Sequence, residues 1–409
     1  MSHLGKANSW NPPLIQWIEQ QITSHESKCR KLRRLHMAGD KRKAIHLEAK
    51  ILRSFSARLC GELYEYGRRK ASLSAAEPIE WDEFERRVNQ SPLRGRSFEP
   101  ALVHFTQKTN GTCRQIVSPG KRMRAAQRVL ARVMDTQDGL NPHEHNCTGR
   151  GRNAAVNEIV RFILEEGIEA VVVFDLANFF PSVKPTHLEW LNIPNEVKSN
   201  VVFFTNHVPL ISFANKQGPL NKTKPARHGL PQGAIASGRI ASALLGRGLL
   251  HLGGEKGIVT YVDDGVIGAR TLAEAQKIAH ALQERMANLQ GGPIGFKRLE
   301  AYDVKQGFEF LGYWIAIRET NSELKVRLSP SHSAKRKFRR NLFRRLRKLS
   351  PASDFECALA EMEEYLKLWL PQFSLWQPSV EEIESLKDEA ASWVDDFFNG
   401  CLAKYPIPE

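Results

Sequence analysis

Apolar residues recur at helical spacing along much of the chain. Before Pro330, the periodicity of amphipathic helices is present in residues 14–73, 121–137, 153–165, 232–250 and 271–290. After Pro330 the chain is predicted to be helical to its end.

Short apolar runs predict strands between these helices. Residues 95–120 indicate short strands joined at Asn110-Gly111, a dipeptide typical of hairpin turns. The continuous run IEAVVVFDL at 168–176 suits a buried central strand, and EFLGYWIAI at 309–317 suits a further strand. This mixture of strands and helices predicts an α+β fold.

Two acidic residues lie between two β-branched runs in IVTYVDDGVIG at 258–268. Asp264-Gly265 is a strong hairpin-turn signal, because both residues tolerate the positive φ of tight turns. We therefore predict a hairpin with Asp263 and Asp264 at its tip. In isolation the tripeptide Asp-Asp-Gly is most often a solvated turn, so its role has to be inferred from the rest of the chain.

A third acid, Asp175, ends the apolar run at 168–176. By itself such a residue is either a helix N-cap or a functional group. Two antiparallel strands of one sheet would bring Asp175 beside Asp263 and Asp264. Three neighbouring carboxylates need divalent cations, and hard oxygen ligands at a phosphate site indicate Mg²⁺. Two such ions, about 3.5–4 Å apart, catalyse phosphoryl transfer in polymerases.

Composition narrows the class of protein. The 409 residues are 42% hydrophobic and 25% charged, which is typical of two or three globular units. No apolar run suits a membrane span or a secretory signal, so we expect no membrane partner. The cysteines are scattered, which favours free thiols in a cytoplasmic protein. His143, His145 and Cys147 lack a fourth ligand at metal-site spacing, which favours an ordinary loop over a zinc site.

The formal net charge of +14 indicates a polyanionic partner. Basic residues are concentrated in two blocks, at 29–43 and 334–349. The second block also has an apolar stripe at helical spacing, formed by Phe338, Leu342, Leu346 and Leu349. Either block alone could be a solvated helix face, but two blocks around a central domain favour a nucleic-acid clamp.

Four motifs in the central part resemble the palm motifs of reverse transcriptases: FDLANFFPSV, GLPQGAIAS, YVDDG and FLGYW, in this order. The resemblance covers roughly residues 28–350, and the segments before the palm are similar to bacterial group II intron and retron-type enzymes. It implies a right-hand polymerase fold of fingers, palm with an antiparallel sheet, and helical thumb. The expected domains are an N-terminal helical extension (1–94), fingers (95–167), a palm (168–329, with a finger-like insertion at 184–228) and a thumb (330–409).

The resemblance also implies residue roles. The metal-binding triad would be Asp175, Asp263 and Asp264, aided by the backbone carbonyl of Leu176. Lys297 would be catalytic and assist the departing pyrophosphate. The expected nucleotide-binding residues are Lys108, Arg114, Phe180, Gln232, Gly233 and Ser237, with Phe180 as the steric gate against ribose. The primer grip would be Phe310, Leu311, Gly312 and Tyr313, and the thumb contacts Arg340, Arg344 and Arg347.

The resemblance therefore implies an RNA-directed DNA polymerase that uses two Mg²⁺ ions, with Mn²⁺ as a substitute, and whose partners are dNTPs, an RNA template and its DNA product. The chain has no paired-Cys endonuclease region, RNase H carboxylate set or retron hallmark motifs. This favours a stand-alone enzyme, for instance a phage-defence reverse transcriptase that copies a cognate non-coding RNA. Template-independent or protein-primed DNA synthesis, and a catalytically dead RNA-binding scaffold, remain alternatives.

Overall fold

The structure is a computed structural model. It describes residues 11–72, 80–107, 113–137, 141–147, 149–212, 227–250, 252, 257–320, 323–349 and 355–398. The chain divides into two compact units. The first unit comprises residues 1–142, 177–250 and 285–295, and the second comprises residues 143–176, 251–284 and 296–409.

The described helices cover the segments in which the sequence shows helical periodicity. In chain order they are α1 Pro12–Met37, α2 Lys41–Arg53, α3 Phe55–Ser72, α4 Trp81–Asn89, α5 Lys121–Met134, α6 Arg152–Glu165, α7 Phe179–Ser182, α8 Asn195–Val197, α9 Ile235–Leu249, α10 Leu272–Ala287, α11 His332–Leu346, α12 Phe355–Trp369 and α13 Val380–Phe398.

The described strands are β1 Ala101–Gln107, β2 Cys113–Ser118, β3 Ala170–Leu176, β4 Leu210–Ser212, β5 Ile258–Tyr261, β6 Asp264–Ala269, β7 Phe296–Asp303, β8 Phe308–Phe310, β9 Tyr313–Thr320 and β10 Glu323–Pro330. The α+β class is thus confirmed. The single strand predicted at 309–317 is wrong: Leu311 and Gly312 both have positive φ, 48° and 82°, and turn the chain back between β8 and β9. Two positive φ values in succession are the pattern of a type I′ hairpin turn.

The first unit begins with helices whose ends are set by local signals. Asn11 caps α1 by accepting a hydrogen bond from the backbone N of Leu14 at 3.0 Å, and Pro12 lies at the first helical position. Gly39, with φ +70°, ends this helix before α2 starts. The helices bury an apolar cluster that includes Ile18, Leu59 and Phe84. A three-stranded sheet in the order β2-β1-β4 completes the unit.

The second unit is built on two antiparallel sheets, ordered β5-β6-β3-β7 and β10-β9-β8. Strand β3 is central in the first of these and buried at all but one position, as its apolar sequence predicts. One core joins the sheets to the C-terminal helices, because Val173 of β3, Tyr313 of β9 and Phe338 of α11 belong to the same apolar cluster. Phe338 also stacks on Tyr365 of α12, with ring centroids 4.7 Å apart.

Candidate active site

The central sheet of the second unit brings two of the predicted carboxylates face to face. Strands β3 and β6 are antiparallel, and their register pairs Asp175 with Asp264. Asp263 immediately precedes β6, and its backbone O accepts a hydrogen bond from the backbone N of Leu176 at 3.0 Å. The prediction that antiparallel strands place these three acids together is confirmed. Asp175 is no helix N-cap; its carboxylate contacts the ammonium of Lys297.

The predicted position of the hairpin turn is wrong by two residues. Tyr261 pairs with Asp264, so Val262 and Asp263 form the turn, and Gly265 lies within β6. Gly265 serves packing instead, because its register partner on β3 is Phe174. A Cβ added at Gly265 would lie 2.2 Å from Cζ of the Phe174 ring. The glycine therefore makes room for an aromatic side chain under the catalytic hairpin.

The turn is strained at Val262. This β-branched residue has φ +63°, in the left-handed region that β-branched side chains rarely adopt. A positive φ at the first central residue alone is the pattern of a type II′ turn, which ordinarily has glycine there. Such backbone persists only where the surroundings hold it, and it is concentrated at functional sites.

A buried acid, Glu144, holds this turn. Its Oε1 accepts hydrogen bonds from the backbone N of Val262 at 3.2 Å and of Asn146 at 2.6 Å. The loop that carries Glu144 pairs with the edge of β5, because Thr260 N donates to His143 O at 2.9 Å and His145 N donates to Thr260 O at 2.9 Å.

Sequence reasoning missed Glu144, and it interpreted the surrounding NPHEHNC segment only as a loop. The signal becomes visible only once the turn is placed at Val262: a β-branched residue at the first position of a two-residue turn requires an external support.

The electrostatics of the acidic cluster favour a cation. Burial, together with the neighbouring carboxylates of Asp175 and Asp263, raises the pKa of Asp264 to about 7. The Lys297 ammonium donates to Oδ2 of Asp175, and this hydrogen bond raises the pKa of Lys297. The Lys297 side chain is nonetheless 73% exposed, so it can leave Asp175 without unpacking the core.

The three aspartates fit Mg²⁺ in donor chemistry, since they are hard oxygen ligands whose mutual repulsion a divalent cation would relieve. In the described part of the chain, no group of three or more His, Cys, Asp or Glu side chains is arranged to hold a metal ion as it stands.

The first unit brings Phe180, Gln232 and Gly233 together by backbone contacts. The carbonyl of Phe180, in α7, accepts from the backbone N of Leu230 at 2.8 Å. The carbonyl of Gln232 accepts from the backbone N of Val117 in β2 at 2.7 Å. Gly233 has φ +94°, and a Cβ there would lie 2.8 Å from the Val117 carbonyl oxygen, so only glycine allows this close approach.

The remaining predicted nucleotide contacts belong to the same unit. Arg114 lies on β2 with an exposed side chain, and Ser237 is buried in the first turn of α9. Gln127 of α5 supports that turn, because its Oε1 accepts from the backbone N of Ile235 at 2.9 Å. Lys108 lies outside the described residues.

Comparison with known proteins assigns the family. A family model described as "Reverse transcriptase (RNA-dependent DNA polymerase)" matches residues 106–315, a range that includes Asp175, Asp263, Asp264 and Lys297. The chain belongs to the reverse transcriptase family. No curated protein sequence matches it.

Solved structures with similarity to this reverse transcriptase chain include a telomerase from Candida albicans in complex with a TWJ fragment of telomeric RNA. That match has a TM-score of 0.36 at 11% identity and covers 74% of this chain and 59% of the telomerase. A foamy viral protease-reverse transcriptase in complex with double-stranded DNA matches with a TM-score of 0.31 at 13% identity, covering 72% of this chain and 43% of the viral protein. The chain thus spans less than two thirds of the length of either protein.

The hairpin predicted as the primer grip of this reverse transcriptase is formed by β8 and β9. Phe310 and Tyr313 are buried in the core, and the Tyr313 hydroxyl donates to Oδ1 of Asn153 at 3.1 Å. Leu311 and Gly312 form the turn and are partly exposed. The two aromatic side chains therefore hold the hairpin in place, and its role as a primer grip stays a prediction.

Some cations of the basic block at 334–349, which includes most of helix α11, form ion pairs within the protein, and others among the described residues do not. Lys335, Arg339 and Arg345 form ion pairs with acids of α12 and α13, at 2.7, 2.8 and 2.5 Å. Within the described residues, the three arginines predicted to bind nucleic acid form no ion pair; they are Arg340, Arg344 and Arg347. The contact of these three arginines with nucleic acid stays a prediction. No helix among the described residues is long and apolar enough to cross a membrane.

Proposed function

We propose that this chain is an RNA-directed DNA polymerase, which makes cDNA on an RNA template by nucleotidyl transfer. The observation that supports this most directly is the pairing of Asp175 with Asp264 across β3 and β6, with Asp263 in the adjoining turn. In a member of the reverse transcriptase family, this is where the reacting phosphate is bound.

The three aspartates would hold two Mg²⁺ ions, or Mn²⁺ as a substitute, with the Leu176 carbonyl as a further ligand. When bound, the ions activate the primer hydroxyl and stabilise charge on the phosphate. Lys297, whose ammonium is 73% exposed beside Asp175, would protonate the departing pyrophosphate.

Residues of the first unit would bind the incoming dNTP. We propose that Phe180 excludes the ribose 2′-hydroxyl, that Gln232 and Gly233 line the base and sugar, and that Arg114 and Lys108 hold the triphosphate. The backbone bonds from β2 and Leu230 to this loop support that role, because they fix the gate and the loop relative to the strand that carries Arg114.

The domain assignment is part of the proposal. The helical extension would comprise residues 1–94, the fingers 95–167, the palm 168–329 with the insertion 184–228, and the thumb 330–409. Arg340, Arg344 and Arg347 of the thumb would contact phosphates of the template–primer duplex, which positions the duplex without reading its sequence. Phe310 to Tyr313 would support the primer strand.

We further propose a cytoplasmic enzyme that copies a partner non-coding RNA, in a phage-defence role. This rests on the net charge of +14 and on the resemblance of the sequence motifs to those of bacterial enzymes.

The test is primer extension by the double variant Asp263→Asn, Asp264→Asn, with dNTPs, Mg²⁺ and an oligo(dT) primer on poly(rA). We expect incorporation to be lost, because amides cannot replace the charge that binds the cations. The fold should be retained, since the change removes mutual repulsion between carboxylates. A matched control is Asp388→Asn, Asp395→Asn, which makes the same charge change at exposed positions of α13.

Full incorporation by the Asp263 and Asp264 variant would refute the catalytic assignment. Omitting the template tests the reaction type: products of equal yield without RNA would show template-independent synthesis and overturn the RNA-directed proposal.

A further inference from the structure

The first unit contains a basic cavity that the proposed polymerase chemistry does not use. The segment 89–99, between α4 and β1, encloses it together with Arg122 of α5, and its volume is about 670 Å³. The side chains that define its character are Ser91, Arg94, Arg96, Ser97, Phe98 and Arg122. We call it the arginine pocket. Its volume lies within the range of small-ligand sites and is sufficient for a nucleotide.

The backbone of the pocket is held in place by its own hydrogen bonds. Ser91 and Ser97 are 3% and 6% exposed. The carbonyl of Ser91 accepts from the backbone N of Arg94 at 2.9 Å, and the Ser97 hydroxyl accepts from the backbone N of Glu99 at 3.2 Å. Leu93, between them, is buried. The loop is therefore organised before any ligand binds, which lowers the entropic cost of binding.

The lining of the pocket has more positive than negative charge. In the part of the chain that the structure describes, Arg94, Arg96 and Arg122 form no ion pair with an acid. The one acid in the lining, Glu99, is already engaged, because its two carboxylate oxygens accept from the backbone N of Lys121 and Arg122 at 2.9 Å each. Three cations and one anion leave a net charge of +2.

A further guanidinium beneath the pocket adds to this field. Arg58 is 5% exposed, and it donates to the carbonyls of Val88 at 3.1 Å and Arg53 at 2.7 Å rather than to an acid. Burial lowers the pKa of Arg58, and the charge of Arg94 lowers it further. An anion bound in the pocket would thus relieve a repulsion that the folded chain already contains.

The pocket also has an exposed aromatic ring. Phe98 is 77% exposed, although burial in the nearby core would be favourable for a side chain of its size. A ring beside guanidinium groups is the arrangement by which proteins bind single-stranded nucleic acid, where cations contact phosphates and bases stack on aromatic faces. The bases of a duplex are already stacked, so a duplex offers Phe98 no free base.

We propose that the arginine pocket binds single-stranded nucleic acid, with Arg94 and Arg96 contacting successive phosphates and Phe98 stacking on an unpaired base. This binding does not require the active-site carboxylates or a metal ion. The chain would then bind an unpaired segment of nucleic acid in addition to the template–primer duplex proposed to lie at the aspartates.

The test uses the full chain and fluorescence anisotropy with labelled oligo(U), oligo(dT) of the same length, and a blunt hairpin duplex, without dNTP or divalent metal. We compare Arg94→Gln, Arg96→Gln with a control that makes the same charge change outside the pocket, Arg86→Gln, Arg270→Gln; both of those residues are exposed. For the single strands, the slope of log K against log salt should be less steep by about 1.4 in the pocket variant, which is about 0.7 for each of the two lost phosphate contacts.

Phe98→Ala should weaken single-strand binding roughly 5- to 150-fold, the range for loss of one stacked base, and leave hairpin binding unchanged. Since Phe98 is exposed, its loss should not unfold the chain, and a thermal melt checks this. If only oligo(U) binding is weakened, the ligand is RNA. If oligo(U) and oligo(dT) binding are weakened equally, the pocket does not distinguish ribose from deoxyribose.

The proposal is overturned if the pocket variant and the control variant have the same salt slope. It is also overturned if the pocket variants weaken single strand and hairpin equally, because the arginines would then be part of a general electrostatic surface. Primer extension by the pocket variant separates the two proposals: it should keep single-nucleotide addition on a saturating short duplex.

Discussion

The support that Glu144 gives to the catalytic turn makes a quantitative prediction. Glu144→Ala removes the acceptor for the backbone N–H of Val262, while the N–H of Asn146, an exposed residue, can bind water instead. An unsatisfied buried N–H costs about 1–3 kcal/mol, and this one is partly buried. The strain of a left-handed β-branched residue is of similar size, about 1–3 kcal/mol. The turn should therefore relax once the acceptor is lost, and Asp263 moves with it.

The expected result is a fall in kcat of roughly 5- to 150-fold, which corresponds to about 1–3 kcal/mol. KM for the dNTP should change little, because the proposed nucleotide contacts lie on other residues. Glu144→Gln keeps an oxygen acceptor at the same position, and it should recover most of kcat. Steady-state primer extension with varied dNTP measures both constants, below the melting temperature of each variant.

Equal kcat values for Glu144→Ala and Glu144→Gln would refute this reasoning, whether both are low or both are normal. A parallel rise in KM would also contradict it, since that result would indicate general loosening of the protein. Thermal melting provides the control: the loss of kcat should persist at temperatures where both variants are fully folded.

Two other predictions concern a buried acid and the sugar gate. Burial raises the pKa of Glu62 to about 7, from 4.5 in the unfolded chain, and its Oε1 has no hydrogen-bond partner. The resulting destabilisation is absent below about pH 4.5 and complete above about pH 7, so Glu62→Gln should raise the free energy of unfolding by up to about 3 kcal/mol at pH 8 and much less at pH 5. Urea denaturation at both pH values measures this, and an equal gain at both would show that ionisation is not the cause. Phe180→Ala should lower the dNTP/rNTP ratio of kcat/KM, because the ring is the proposed obstacle to the 2′-hydroxyl; an unchanged ratio would mean that Phe180 only packs.

The features that the sequence predicted correctly depend on local pattern. The apolar run that ends in Asp175 predicts a buried central strand, and the β-branched residues around Asp263 and Asp264 predict a hairpin. Antiparallel pairing then places the acids together. The spacing of Phe338 and Leu342 likewise predicts the buried face of α11.

The features that were mispredicted depend on contacts between distant parts of the chain. Gly265 has the same local appearance whether it forms a turn or makes room for Phe174, and only the register with β3 distinguishes the two. Glu144 contacts Val262 across 118 positions of sequence, and no local periodicity indicates such a bond. The turn at Leu311-Gly312 is not visible in the sequence because the apolar run at 309–317, which predicts one strand, continues through it.

The chain passes between its two units five times, at 142/143, 176/177, 250/251, 284/285 and 295/296. Two of these crossings lie next to the catalytic residues, one just after Asp175 and the other just before Lys297. Within the first unit, the backbone N of Ala177 donates to the backbone O of Gly295 at 2.8 Å. The chain is therefore hydrogen-bonded to itself at the first-unit residues of these two crossings. No uninterrupted fragment contains one whole unit without segments of the other. The units therefore cannot be separated by truncation, and a proteolytic cut or an inserted tag near Ala177 or Gly295 would disturb the chemistry of the second unit through the backbone itself.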